Sequence, residues 1–155
     1  MVNLANSTSW TDMKISNLVQ DCGTNYRKMF QEMKIVGEHK PEESWRTCKG
    51  IVDIDGNANA WGLLWRLSSG SVVFRVNSSF CSIYGFDLKP WVHYVPIRSD
   101  LSDFVNMTSL VLARRDSDVS QLAQIASSAS EYAAMYTYDA VVDMVVEQLN
   151  RLWSE

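Results

Sequence analysis

Cysteine is scarce in this sequence of 155 residues, and the three that occur, Cys22, Cys48 and Cys81, lie far apart. None belongs to a C-x-x-C pair, so the spacing that is typical of a zinc site is missing. Their odd number also argues against a fold that depends on disulfides. We therefore expect all three to be buried free thiols.

Long apolar runs are missing as well. None approaches the roughly 20 residues that are needed to span a bilayer. The first ten residues, MVNLANSTSW, have neither the basic start nor the apolar segment of a signal peptide. We expect no membrane span and no signal peptide in this chain.

Basic residues are not in excess. The formal net charge is −4, with 14 Lys and Arg against 18 Asp and Glu. Proteins that bind nucleic-acid backbones need a basic surface, so this balance argues against a nucleic-acid partner. It leaves open a local basic pocket for a phosphorylated ligand.

The balance of 46% hydrophobic and 21% charged residues is ordinary for a globular protein. The length suits one domain with a substantial core. We predict a single domain over residues 1–155, in which the polar residues 1–12 are frayed and residues 104–155 form a helical tail.

Apolar patterning predicts alternating strands and helices in the first two thirds of the chain. GIVDIDG (50–56) is typical of a strand that ends at a glycine, AWGLLWRL (60–67) of a helix and SGSVVFRV (69–76) of a turn into a second strand. WVHYVPI (91–97) predicts a third strand, on which His93 is a structural histidine. A strand, a helix and a strand with short connections form a βαβ unit, so the fold class is α/β, with a Rossmann-like parallel sheet and flanking helices.

The pattern is helical from Ser99 onward, and we expect Ser99 and Asp100 to begin and cap the first of these helices. Residues 118–136 are rich in Ala and Ser, which suits a helix packed closely against a neighbour. The last helix carries an apolar stripe that we expect to face the core: Val141, Met144, Val145, Leu149 and Leu152.

Small polar residues follow the first strand, in the segment DGNANAWG (55–62). Ligands of parallel sheets bind beyond the carboxyl ends of the strands, so this segment is a candidate site. Asp53 and Asp55 form a D-x-D that could hold Mg²⁺, whereas a calcium loop fails because Ala58 and Leu64 replace its glycine and its last carboxylate. Backbone N–H groups at the start of the following helix could bind a phosphate instead. A plain turn between strand and helix remains the alternative.

Two longer stretches carry a family resemblance. KGIVDIDGNANAWGLLWRLSSGSVVFRV (49–76) and LKPWVHYVPIRSDLSD (88–103) resemble the CAP10-type glycosyltransferases of family 90, which include protein O-glucosyltransferases and enzymes that modify capsule or lipopolysaccharide. The resemblance implies the C-terminal half of a GT-B glycosyltransferase, with residues 49–103 as the core of the donor site. It also implies an inverting, metal-independent reaction without a cofactor, and a nucleoside diphosphate sugar, typically a UDP-sugar, as donor.

The resemblance places the donor segment in the same loop. Many members have a serine and, two residues later, an arginine that contacts the diphosphate, where this chain has Ala60 and Gly62. Arg66, one helical turn further, is a candidate to supply the charge. The predicted substrate-binding residues are Asn57, Ala58, Asn59, Ala60, Trp61, Gly62 and Arg66.

No segment here resembles the N-terminal half of the family, which carries the aspartate base. We therefore expect no catalytic residue and no metal ligand in this chain, and enzyme activity only if such a half completes it. The predicted partners are a nucleoside diphosphate sugar and a hydroxyl-bearing acceptor, either protein or glycan. The alternative is a non-catalytic nucleotide-sugar-binding fragment or partial gene product. The compartment would be the lumen of the endoplasmic reticulum or Golgi in a eukaryote and the cytoplasm in a bacterium.

Overall fold

A computed structural model describes residues 8–14, 23–56, 60–80, 84–85, 87–112 and 115–154 of the chain. Its helices are α1 (Gly23–Glu32), α2 (Glu42–Trp45), α3 (Leu63–Leu67), α4 (Phe104–Thr108), α5 (Asp116–Ala134) and α6 (Tyr138–Trp153), and a 3-10 turn (Ser109–Leu112) follows α4. Its strands are β1 (Gly50–Asp53), β2 (Val72–Val76) and β3 (Val95–Ile97).

The three strands form one parallel sheet in the order β1-β2-β3. The register places Asp53 beside Arg75 and Val76 beside Ile97, so the strands end close together. Helix α3 connects β1 to β2, which confirms the predicted βαβ unit and the α/β class.

Each face of the sheet carries its own core. On one face, alternate residues of β2 pack with β3, with Phe104 of α4 and with Ile125 and Ala126 of α5. On the other face, Val73 packs with α3, Ala129 and Tyr132. The small Ala129 is fully buried, and the hydroxyl of Ser130 donates to the backbone oxygen of Leu67 at 3.2 Å. These contacts confirm the close helix packing that the Ala and Ser content predicts.

The third strand is shorter than predicted. It covers only Val95–Ile97, whereas Trp91 has φ 62° and residues 91–93 form a turn. The prediction that His93 lies on a strand was therefore wrong, and Trp91, two residues before it, is 45% exposed. Apolar alternation alone does not reveal a residue in the left-handed region.

Predictions for the C-terminal helices need two corrections. Helix α4 begins at Phe104, not at Ser99 or Asp100, and the side chain of Asp100 accepts the N–H of Ser102 in the preceding turn. None of the 16 residues of α6 is buried, so its apolar stripe does not face the core of the described chain.

The prediction of buried free thiols is wrong for Cys48, which is a free thiol but exposed, whereas Cys22 and Cys81 lie outside the described residues. Among the described helices, none is long and apolar enough to cross a membrane.

Candidate functional site at the carboxyl edge of the sheet

Two adjoining cavities lie beyond the carboxyl ends of the strands. One, of about 570 Å³, is lined by Asp55 after β1 and by Ser99 after β3, among others; we call it the polar cavity. The other, of about 420 Å³, is lined by aromatic residues of the loops beside Arg75 of β2; we call it the aromatic cavity. They share a wall of four residues that begins at the end of β2: Val76, Asn77, Ser78 and Phe80. This is the edge at which open parallel sheets bind their ligands.

A buried carboxylate organises the charges behind these cavities. Asp53, at the end of β1, is 2% exposed. Its Oδ1 is 2.7 Å from Nη1 of Arg66 on α3, and its Oδ2 is 3.8 Å from Nε of Arg75 on β2. Burial raises the pKa of the Asp53 carboxyl, and the attraction of Arg66 and of Arg75 opposes that rise. One carboxylate thus holds two guanidinium groups.

Asp55 closes the loop that follows β1. Its Oδ1 accepts the N–H of Ala60 at 2.6 Å, which ties the strand end to the start of α3. Its Oδ2 is shielded from solvent and has no hydrogen-bond partner in the described part of the chain. The D-x-D carboxylates are therefore engaged separately, Asp53 by arginines and Asp55 by backbone. Within the described ranges, no group of three or more metal-ligating side chains occurs.

The predicted donor segment is only partly described. Asn57, Ala58 and Asn59 lie outside the described residues. Ala60 is the partner of Asp55, and Trp61 is 96% exposed, so its ring does not pack into the core.

Gly62 and Arg66 are linked by packing. A Cβ at Gly62 would lie against the ring of Trp65 and only 2.9 Å from Nη1 of Arg66, the nitrogen that binds Asp53. The missing side chain at Gly62 therefore leaves room for the ion pair. Arg66 is neither a solvated helix residue nor a free cation, because its guanidinium already pairs with Asp53.

Sequence reasoning missed most of the residues that line the cavities, namely Arg75, Asn77, Ser78, Phe80, Tyr94 and Ser99. The signal that could have found several of them is positional. Asn77 and Ser99 closely follow the ends of β2 and β3, as Asp55 follows the end of β1. The rule that ligands bind beyond carboxyl ends applies to every strand of a parallel sheet and not to the first alone.

The turn between Lys89 and Tyr94 forms one wall of the aromatic cavity. Nδ1 of His93 accepts the N–H of Lys89 at 3.0 Å, and the imidazole lies against the Tyr132 ring with centroids 4.9 Å apart. Burial, with a smaller contribution from Lys89, lowers the pKa of His93, which favours the neutral form that this hydrogen bond requires. These contacts give His93 a structural role, as the sequence predicts.

A parallel sheet with flanking helices and cavities at its carboxyl edge defines the class of Rossmann-like α/β domains. The family model of glycosyl transferase family 90 matches residues 2–152, and the chain belongs to that family.

The proteins to which this chain is similar are much longer than the chain. The chain is 43% identical over 54 residues to protein O-glucosyltransferase 2 of Danio rerio, which covers 35% of the chain and 11% of that protein. It is 38% identical over 63 residues to protein O-glucosyltransferase 1 of Homo sapiens, with coverages of 41% and 15%. A protein of Invertebrate iridescent virus 3 named "Uncharacterized protein 035R" is 32% identical over 106 residues, with coverages of 67% and 9%. The matched region is thus a small part of each relative.

Proposed function

We propose that this chain binds the nucleoside diphosphate sugar donor, a UDP-sugar such as UDP-glucose, of a glycosyl transfer to a hydroxyl group. The observation that carries the proposal is the pair of adjoining cavities at the carboxyl edge of the sheet in a member of glycosyl transferase family 90. The names of the relatives support glucose as the sugar. The acceptor is a hydroxyl of a protein or a glycan.

The cavities suit the parts of such a donor. Arg75 brings a positive charge to the aromatic cavity, and a guanidinium pairs well with phosphate oxygens. Asn77, Ser78 and Ser99 offer neutral hydrogen-bonding groups for hydroxyls. Phe80 and Tyr94 offer aromatic faces. Anionic, hydroxyl-rich and flat groups can therefore be bound within one continuous site.

The test is a calorimetric or NMR titration of the chain with UDP-glucose, with Asn77→Ala as the site variant. Asn77 is exposed and lines both cavities, so its truncation should leave stability unchanged. Loss of one neutral hydrogen bond to the donor is expected to weaken binding roughly three- to tenfold.

Asn106→Ala is the matched control. Asn106 is an exposed asparagine on α4 and lies outside the described lining of both cavities. It should bind the donor like the wild type. A wild-type chain that shows no saturable binding of UDP-glucose would refute the proposal.

The second candidate function is non-catalytic nucleotide-sugar binding. It is favoured by the family resemblance, in which the aspartate base belongs to an N-terminal half that no segment of this sequence resembles. The two candidates differ in turnover. Inverting transfer requires a general base at the acceptor hydroxyl, which the family resemblance places outside this chain. The chain by itself is then expected to bind donor without glycosylating an acceptor, and transfer at ordinary enzyme rates would exclude the second candidate.

A further inference from the structure

Trp91 occupies a backbone conformation that its side chain disfavours. Its φ is 62°, in the left-handed region where a Cβ is too close to the following carbonyl oxygen. Among the described residues that are not glycine, two more have a positive φ. Their positions in the fold account for this conformation. Lys34 lies two residues after the end of α1, in the turn that terminates this helix, and Leu101 packs against the core. Trp91 is 45% exposed, so full burial of the indole does not compensate its conformation.

The surrounding turn enforces this conformation. The N–H of Trp91 donates to the oxygen of Tyr94 at 2.7 Å, and the N–H of His93 donates to the oxygen of Lys89 at 3.0 Å. Nδ1 of His93 accepts the N–H of Lys89, and its ring packs on Tyr132 of α5. The turn is thus closed by hydrogen bonds and anchored to a long helix. Strain that the surroundings enforce in this way is concentrated at functional sites.

The strained residue faces a site of suitable chemistry. Trp91 lines the aromatic cavity together with Phe80 and Tyr94. Phe80 is 46% exposed, so a second aromatic side chain is left partly uncovered there. The guanidinium of Arg75 lies 5.6 Å from the centre of the Tyr94 ring and places a positive charge beside these aromatic groups. The cavity is therefore complementary to a flat ring that is attached to an anion.

We infer that Trp91 is the stacking platform for a ring of the bound donor, either its nucleobase or its sugar, and that the strained turn holds the indole at the cavity. This inference rests on the proposed function and assigns a role to a residue that the donor segment does not include. Aromatic side chains stack on nucleobases and pack against the apolar faces of sugars in the same way.

Trp91→Gly separates this role from a packing role. Glycine adopts φ 62° without strain, so the variant should unfold at the same temperature as the wild type or a higher one. Its affinity for the donor should fall by about tenfold or more, because an aromatic stacking partner is lost. Trp91→Tyr keeps a ring at the same place and should retain most of the affinity.

Lys34→Gly is the matched control. Lys34 has φ 55°, is exposed and lies outside the described lining of both cavities. The substitution relieves the same kind of strain and should leave donor affinity unchanged.

UDP and UDP-glucose are the two probes, titrated against each variant by calorimetry. An equal loss for both in Trp91→Gly assigns the stacked ring to the nucleobase, and a loss for UDP-glucose alone assigns it to the sugar. Wild-type affinity of Trp91→Gly for both probes would overturn the inference. So would a melting temperature of Trp91→Gly well below that of the wild type, because the indole would then serve packing. A wild-type chain that binds neither probe overturns the proposed function and this inference with it.

Discussion

Replacing Arg66 by methionine should destabilise the fold through Asp53. The carboxylate of Asp53 is 2% exposed, and Arg66 is its nearest counter-charge, at 2.7 Å. Methionine keeps an unbranched side chain of similar length but has no charge. The variant leaves a buried carboxylate with Arg75 as its remaining partner among the described residues, at 3.8 Å.

The magnitude follows from how completely the pair is buried. Removing one partner of a fully buried ion pair costs about 3–5 kcal/mol of stability. The side chain of Arg66 is itself 22% exposed, and Arg75 still attracts the carboxylate. We therefore expect a loss of about 2–3 kcal/mol at neutral pH, at or below the lower end of that range.

The loss should depend on pH with a defined sign. Burial raises the pKa of Asp53 in the folded chain, so the fold favours the protonated carboxyl. This contribution to stability is complete below the ordinary aspartate pKa of about 4 and disappears as the pH rises through the raised pKa. Removal of Arg66 raises the pKa further. The difference between Arg66→Met and the wild type should thus be small near pH 4 and grow toward pH 7.

Urea unfolding of both chains at several pH values measures this difference. Asp53→Asn supplies the control, because it removes the buried charge and keeps a hydrogen-bond acceptor. In the Asp53→Asn background, Arg66→Met should cost much less than in the wild type, and the pH dependence should vanish. A loss that is the same at pH 4.5 and pH 7.5, or the same in both backgrounds, would refute the view that Arg66 acts by compensating Asp53.

Four further predictions concern Gly62, metal dependence and the two long C-terminal helices. Gly62→Ala should push the guanidinium of Arg66 away from Asp53 and cost about 1 kcal/mol, with the same growth toward neutral pH in urea unfolding. Chelation should not change the affinity for UDP-glucose in calorimetry, and a tenfold loss with EDTA, about 1.4 kcal/mol, would return Asp53 to the role of a metal ligand. Leu149→Lys on the exposed face of α6 should change the free energy of unfolding by less than about 0.5 kcal/mol, whereas Ala129→Leu should cost about 1–3 kcal/mol by overpacking a fully buried position.

The local sequence pattern predicted several individual strands and helices. Apolar spacing predicted the strands β1 and β2 and the short helix α3, and the Ala and Ser content predicted the long helix α5. The succession of strand, helix and strand favours a βαβ unit and a parallel sheet. The carboxyl edge of that sheet, and with it the position of the site, followed from topology.

Contacts between distant residues were not predictable in the same way. Asp53 and Arg66 are 13 positions apart, and neither spacing nor composition indicates that they pair. The same holds for α6, whose stripe of apolar residues has the right period for a buried face. Period identifies which residues share a face, but it does not show whether another surface covers that face.

The charges around Asp53 bear on the hypothesis that the D-x-D holds Mg²⁺. A divalent cation at Asp53 would lie against the guanidinium groups of Arg66 and Arg75, because each of them already approaches one carboxylate oxygen. Like charges at such distances repel strongly in a buried site. The same arrangement favours an anion, since the two arginines carry one more positive charge than Asp53 neutralises, and Arg75 lines the aromatic cavity. The aspartate that resembles a metal ligand in the sequence is thus paired with two arginines, of which Arg75 lines the aromatic cavity.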